Sequence, residues 1–133
     1  MKILALDIGT KRTGAAFIDQ ENVGFSVPLE TINHASKDEL LDAVKKIVSD
    51  RSADHLVLGL PYLLSGKDGS QAKYVRERAK ELEKIGIPVS LIDERYSSNT
   101  YSPTTSKKST KDAVSLDPNT LAAMAILDAF IAC

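Results

Sequence analysis

Asp7 is the only acid in the apolar run "ILALDIG", and Thr10, Lys11 and Arg12 follow it directly. A second apolar run, "PVSLID", ends in Asp93, Glu94 and Arg95, and near the C-terminus "LDPNTLAA" carries Asp117 and Asn119. Taken singly, each has an ordinary explanation: an Asp after a strand forms turns, and a Glu beside an Arg is a surface ion pair. Taken together they suggest a site. Carboxylates brought close repel one another unless a cation lies between them. Oxygen donors of this kind suit Mg²⁺ or Mn²⁺. Paired ions so held cleave phosphodiesters by activating water and stabilising the leaving oxygen. Lys11, Arg12 and Arg95 are then the groups to hold the phosphate backbone.

The elements must bring these residues together. "ILALDI" and "TGAAFID" read as two strands joined by the turn "GTKR". "NVGFSVPLETI" reads as a third, with Pro28 marking an edge or a bulge. "SKDELLDAVKKIVSDR" is a helix, with Ser36 and Glu39 as a capping box and Leu40, Leu41, Val44, Ile47 and Val48 on one face. "DHLVLGLP" is a buried strand. A second helix carries Ala72, Val75, Ala79, Leu82 and Ile85 inward and ends at Gly86, and "PVSLID" is the fifth strand. Asp117 is an N-cap candidate, with Pro118 at the first position of a last, largely buried helix. The pattern predicts an α/β fold. Three antiparallel strands and then parallel crossovers make a mixed five-stranded sheet with helices on both faces. In an open sheet, ligands collect at the C-terminal ends of the parallel strands. Asp7 and the "DER" acids share that crevice if their strands are neighbours, and the start of the last helix adds oxygens.

Composition bounds the reading. The 133 residues make one domain, 1–133, with 43% hydrophobic and 26% charged residues. The single cysteine, Cys133, excludes an internal disulfide and a cysteine-based zinc site. The N-terminus lacks a signal-peptide pattern and no apolar run reaches the ~20 residues of a membrane span, so the expectation is a cytoplasmic protein with no membrane partner. With a net charge of −1, nucleic-acid binding must come from local patches. The window 95–111 holds Arg95, Lys107, Lys108 and Lys111 and no acid. It lies in a Ser/Thr/Lys-rich stretch, 96–116, expected to be a mobile loop able to order over substrate. Tyr96 and Tyr101 within it could stack on a base or cover apolar surface.

The chain resembles the YqgF/RuvX family of Holliday-junction resolvase or pre-16S ribosomal RNA nuclease proteins. The likeness is carried by "LALDIGTKRTGAAFID", "LVLGLPYLLSGKDGSQAKYVRERAKEL", "VSLIDERYSS" and "TLAAMAILDAF", in order and across nearly the whole chain. It implies an RNase H-like fold and a Mg²⁺- or Mn²⁺-dependent endonuclease acting on structured RNA or branched DNA. The substrate would be the 5′ end of pre-16S rRNA or a Holliday junction. The family's acids map to Asp7 and Glu94, and its Thr-Lys-Arg segment to Thr10, Lys11 and Arg12. Its third acid, three residues before the paired alanines, falls on Asn119 here. On the helix, Asn119 shares the face of Ala122, Ala123, Ile126 and Phe130 and points towards the proposed site, where it offers an amide oxygen without charge. Asp117 is the candidate substitute, giving Asp7, Glu94 and Asp117 as the metal set. Two acids and an amide hold Mg²⁺ more weakly than three acids. The expectation is therefore a requirement met only at high Mg²⁺ or by Mn²⁺, or a nucleic-acid-binding module without cleavage. Asp128, further along the helix, reads as a surface or paired acid. The Asp-x-Gly-Thr motif also occurs in actin-like ATP-binding proteins, but these need two lobes. A four-way junction has two-fold symmetry and would favour a homodimer.

Overall fold

Lys2–Ile8 (β1) and Arg12–Asp19 (β2) form an antiparallel hairpin in which Asp7 faces Gly14 and Ile8 faces Thr13. This computed structural model describes residues 1–60, 70–93 and 117–132. The loop expected at 96–116, the Pro61 to Gly69 segment, Glu94 and Arg95 lie outside the described residues. The turn between the strands is tight. A Cβ on Gly9 would stand 2.4 Å from the Arg12 carbonyl oxygen, so only glycine fits there.

The third predicted strand is in fact two, Val27–Pro28 (β3) and Ile32–Asn33 (β4), both antiparallel to β2. The described sheet therefore has six strands, not five, in the order β3-β2-β1-β5-β6 with β4 also on β2. The break has a local cause. Pro28 has no N–H for the ladder and sits, as its type demands, on the edge strand. The β3 register sets Ala16 against Pro28, and carried on it would set Thr13 against Thr31. Thr13 faces Ile32 instead. One extra residue is accommodated between the two segments, which makes the edge a bulged strand.

Beyond the edge the expectations hold. Lys37–Arg51 (α1) is capped by Ser36, whose Oγ accepts from the Glu39 N–H at 3.3 Å, while Glu39 accepts from the Ala35 N–H at 2.7 Å. His55–Leu60 (β5) lies parallel to β1, and Val89–Asp93 (β6) lies parallel to β5. Strands β1, β5 and β6 are therefore neighbours, as the shared crevice requires. Ser70–Leu82 (α2) runs into a 3₁₀ turn, Glu83–Ile85, and ends at Gly86 with φ of 107°. Pro118–Ala132 is α3.

Strand alternation divides the core in two. Leu4, Leu6 and Ile8 meet Leu40 and Val44 of α1 and Val75 and Leu82 of α2. Ile3, Ala5, Ala16 and Val57 meet Ala123, Ile126 and Leu127 of α3. Each fully buried Leu or Val contributes roughly 1.5–3 kcal/mol. These layers fix where α3 starts, and so fix the surroundings of Asp7. Among the described residues no helix is long and apolar enough to cross a membrane.

Candidate nuclease site

Asp7 falls on the Ile3–Ala5 side of β1, the face covered by α3. Its cross-strand partner Gly14 lies on the same face, because residues directly opposite in an antiparallel ladder project the same way. Here the chain comes unusually close to itself. A Cβ on Gly14 would stand 1.9 Å from the Asn119 carbonyl oxygen and 2.7 Å from the Thr120 nitrogen. The missing side chain lets the first turn of α3 rest on the strand beside Asp7. Asp7 and Asn119, 112 positions apart in sequence, are thereby brought to one place.

Four contacts hold that first turn. The Asn119 N–H donates to Asp117 Oδ1 at 2.8 Å, and the Leu121 N–H donates to the Asp117 carbonyl oxygen at 3.0 Å. Asp117 is thus the N-cap, with Pro118 at the first helical position. Arg12 Nη2 donates to Asp117 Oδ2 at 3.1 Å, joining the start of β2 to the cap. Thr120, 2% exposed, shares a 3.0 Å hydrogen bond with Thr31 of the bulged edge.

A second tie supports the basic segment from beneath. The His34 N–H donates to the Lys11 carbonyl oxygen at 2.9 Å. His34 Nε2 and Thr13 Oγ1 are hydrogen-bonded at 2.9 Å, with both side chains buried. Burial pushes the His34 imidazole below its ordinary proton affinity, and Glu39 opposes this weakly from α1. Lys11 and Arg12 therefore stand exposed on a backbone fastened from behind.

The predicted residues divide accordingly. Asp7, Arg12, Asp117 and Asn119 come together, with exposed Thr10 and Lys11 on the adjoining turn. Glu94 and Arg95 lie outside the described residues, and the described part of β6 stops at Asp93, which pairs with Leu60. Among the described residues no three acids, histidines or cysteines cluster to hold a metal. Asp7 and Asp117 carry carboxylate oxygens, the donor type that a hard divalent ion takes. Asp128 is a paired acid: it accepts from Ser26 Oγ at 2.8 Å. A groove of about 810 Å³ between α1 and the edge strands is lined by none of the predicted site residues.

Sequence reasoning missed Thr13, His34, Thr31 and Thr120. Only His34 left a signal. It follows Ile32 by two, so strand alternation turns it inward with that buried residue. The threonine pair, by contrast, depends on the bulge.

This six-stranded mixed sheet with helices on both faces is the RNase H-like fold, shared with solved Holliday junction resolvases. Thermus thermophilus RuvC, solved in complex with a Holliday junction substrate, superposes with a TM-score of 0.68 at 10% identity, over 95% of this chain and 89% of that one. The fowlpox virus Holliday junction resolvase superposes with a TM-score of 0.59 at 12% identity, over 99% and 98%. Within this fold the chain belongs to the family described as RuvX, Holliday junction resolvase, whose model matches residues 1–132. Two relatives bear the name "Putative pre-16S rRNA nuclease". The Maridesulfovibrio salexigens protein is 34% identical over 99 residues, 74% of this chain and 73% of the relative. The Synechocystis sp. protein is 38% identical over 96 residues, 71% of this chain and 62% of the relative.

Proposed function

We propose that the protein is a divalent-metal-dependent endonuclease that hydrolyses phosphodiester bonds of structured nucleic acid. The observation that carries this reading is the meeting of Asp7 with the first turn of α3, made possible by Gly14. Membership of a resolvase family and the nuclease name of its relatives support it. The oxygen donors fit Mg²⁺ or Mn²⁺, with Asp7, Glu94 and Asp117 as the acids and Asn119 as an uncharged donor. When bound, the ion supplies an activated water and stabilises the leaving oxygen. The chain's own part is to fix the substrate. Arg12 and Lys11 draw the phosphate backbone to the end of β1, Thr10 offers a hydroxyl there, and Arg95 adds a further positive charge.

The substrate is the 5′ region of pre-16S rRNA or a four-way DNA junction. For the junction, a homodimer matches the two-fold symmetry of the substrate. Cleavage of both labelled substrates by the wild type and by Asp7→Asn, with Mg²⁺ and with Mn²⁺, tests the reading. Metal-dependent cuts that vanish in the variant support it, and equal background in both sinks it.

A second reading has its own observation. Asn119 stands where the family pattern has an acid, and Asp117 is already engaged by Arg12 and by the Asn119 N–H. This arrangement favours a protein that binds nucleic acid and cuts it weakly or not at all. Salt-dependent binding without cleavage at any metal concentration would select it.

A further inference from the structure

Arg12 has a partner already. Its Nη2 lies 3.1 Å from Asp117 Oδ2, across 105 positions of sequence. We infer that Asp117 occupies Arg12 as a built-in anion, and that a phosphodiester of the bound nucleic acid displaces it. This rests on the proposed reading of Arg12 as a phosphate contact and adds to it a competition between substrate and cap.

Three features make the exchange favourable. The Arg12 side chain is 52% exposed and that of Asp117 23% exposed, so the pair is solvated and weak. The hydrogen bond joins one guanidinium nitrogen to one carboxylate oxygen, whereas a phosphate accepts the guanidinium fork through two oxygens. The cap also survives the exchange. Asp117 holds the Asn119 N–H through Oδ1, the other oxygen, so Arg12 can leave without undoing the first turn of α3. In the free protein the pair neutralises a cation that would otherwise stand open at the site. In the complex the charges balance again, because Arg12 exchanges one anionic oxygen for another. Asp117 Oδ2 is then released beside Asn119, at the position where the acid set is one carboxylate short.

The test uses the full chain with metal chelated, so that binding is read without cleavage. Fluorescence anisotropy measures affinity for a labelled four-way DNA junction and, separately, for a labelled RNA stem-loop. Asp117→Asn removes the charge and keeps the cap, since Asn serves at that position as well as Asp. Asp117→Ser is the second variant, and an unchanged melting temperature certifies both. The expected result is binding about two- to fivefold tighter than wild type at low salt, the range of a released exposed ion pair. The gain disappears when Asp117→Asn is combined with Arg12→Gln. It is also absent in Asp42→Asn, which makes the same charge change at an exposed position of α1. Unchanged or weaker binding by both Asp117 variants overturns the inference, as does a gain that persists without Arg12. Wild-type binding that is indifferent to salt and to Arg12→Gln overturns the reading beneath it as well. The arm with the larger gain identifies DNA or RNA as the source of the phosphate.

Discussion

Asp7 and Gly14 face each other across the β1–β2 ladder, and the absent side chain of one is what brings α3 down beside the carboxylate of the other. The distance from a notional Gly14 Cβ to the Asn119 carbonyl oxygen, 1.9 Å, leaves no room for any other residue. Gly14→Ala must lift the start of α3. Overpacking of this kind costs about 1–3 kcal/mol, to be read from urea denaturation. Cleavage should fall further than the stability loss explains, because Asn119 moves away from Asp7. Wild-type stability and activity in the alanine variant would show that the approach is not needed.

Asp7→Asn keeps the shape of the side chain and removes its charge. If Asp7 holds the ion, cleavage drops by at least about 100-fold while nucleic-acid affinity with metal chelated stays near wild type. Loss of binding in parallel with cleavage would instead assign Asp7 a role in folding or docking.

Asn119→Asp places a carboxylate where the family resemblance expects one. Adding a charged ligand tightens a hard-cation site, so the Mg²⁺ concentration for half-maximal cleavage should fall by on the order of tenfold. A metal titration measures it directly. An unchanged Mg²⁺ dependence would mean that Asn119 does not face the ion.

His34 predicts a pH dependence of stability. Its imidazole is held below the ordinary value of 6.5 by burial, so the folded protein keeps it neutral where the unfolded chain takes up a proton. A depressed pKa on a base means stability is complete above the unfolded value and declines as pH falls through it. Wild-type stability should therefore fall between about pH 7.5 and about pH 5.5, and His34→Gln should flatten that slope. Denaturant midpoints at the two pH values decide it, and equal slopes in both proteins would remove His34 as the cause.

What the sequence disclosed was what short-range chemistry decides. The hairpin turn at Gly9, the Ser36 and Glu39 cap, the helix stop at Gly86 and the Asp117–Pro118 start all depend on residues within a few positions of one another. All are found where they were expected. The placement of Asp7 near the end of a central strand was legible too, from the apolar run that carries it. The long-range fits were not legible. That Gly14 is a seat for α3, and not one more small residue in a strand, depends on a helix more than 100 positions away. The Thr31–Thr120 bond depends on a one-residue slip that propensity does not foretell, and the split of the third strand has the same origin.

That slip also bears on solubility. A regular outer strand is a template on which another chain can lay down a matching strand and begin an aggregate. On the β2 side of the sheet the outermost segments are two residues each, one carries a proline, and they sit out of step by one position. An incoming strand in register with Val27–Pro28 is out of register at Ile32–Asn33. The bulge that ties the site's helix to the sheet thus also blunts this edge against self-association.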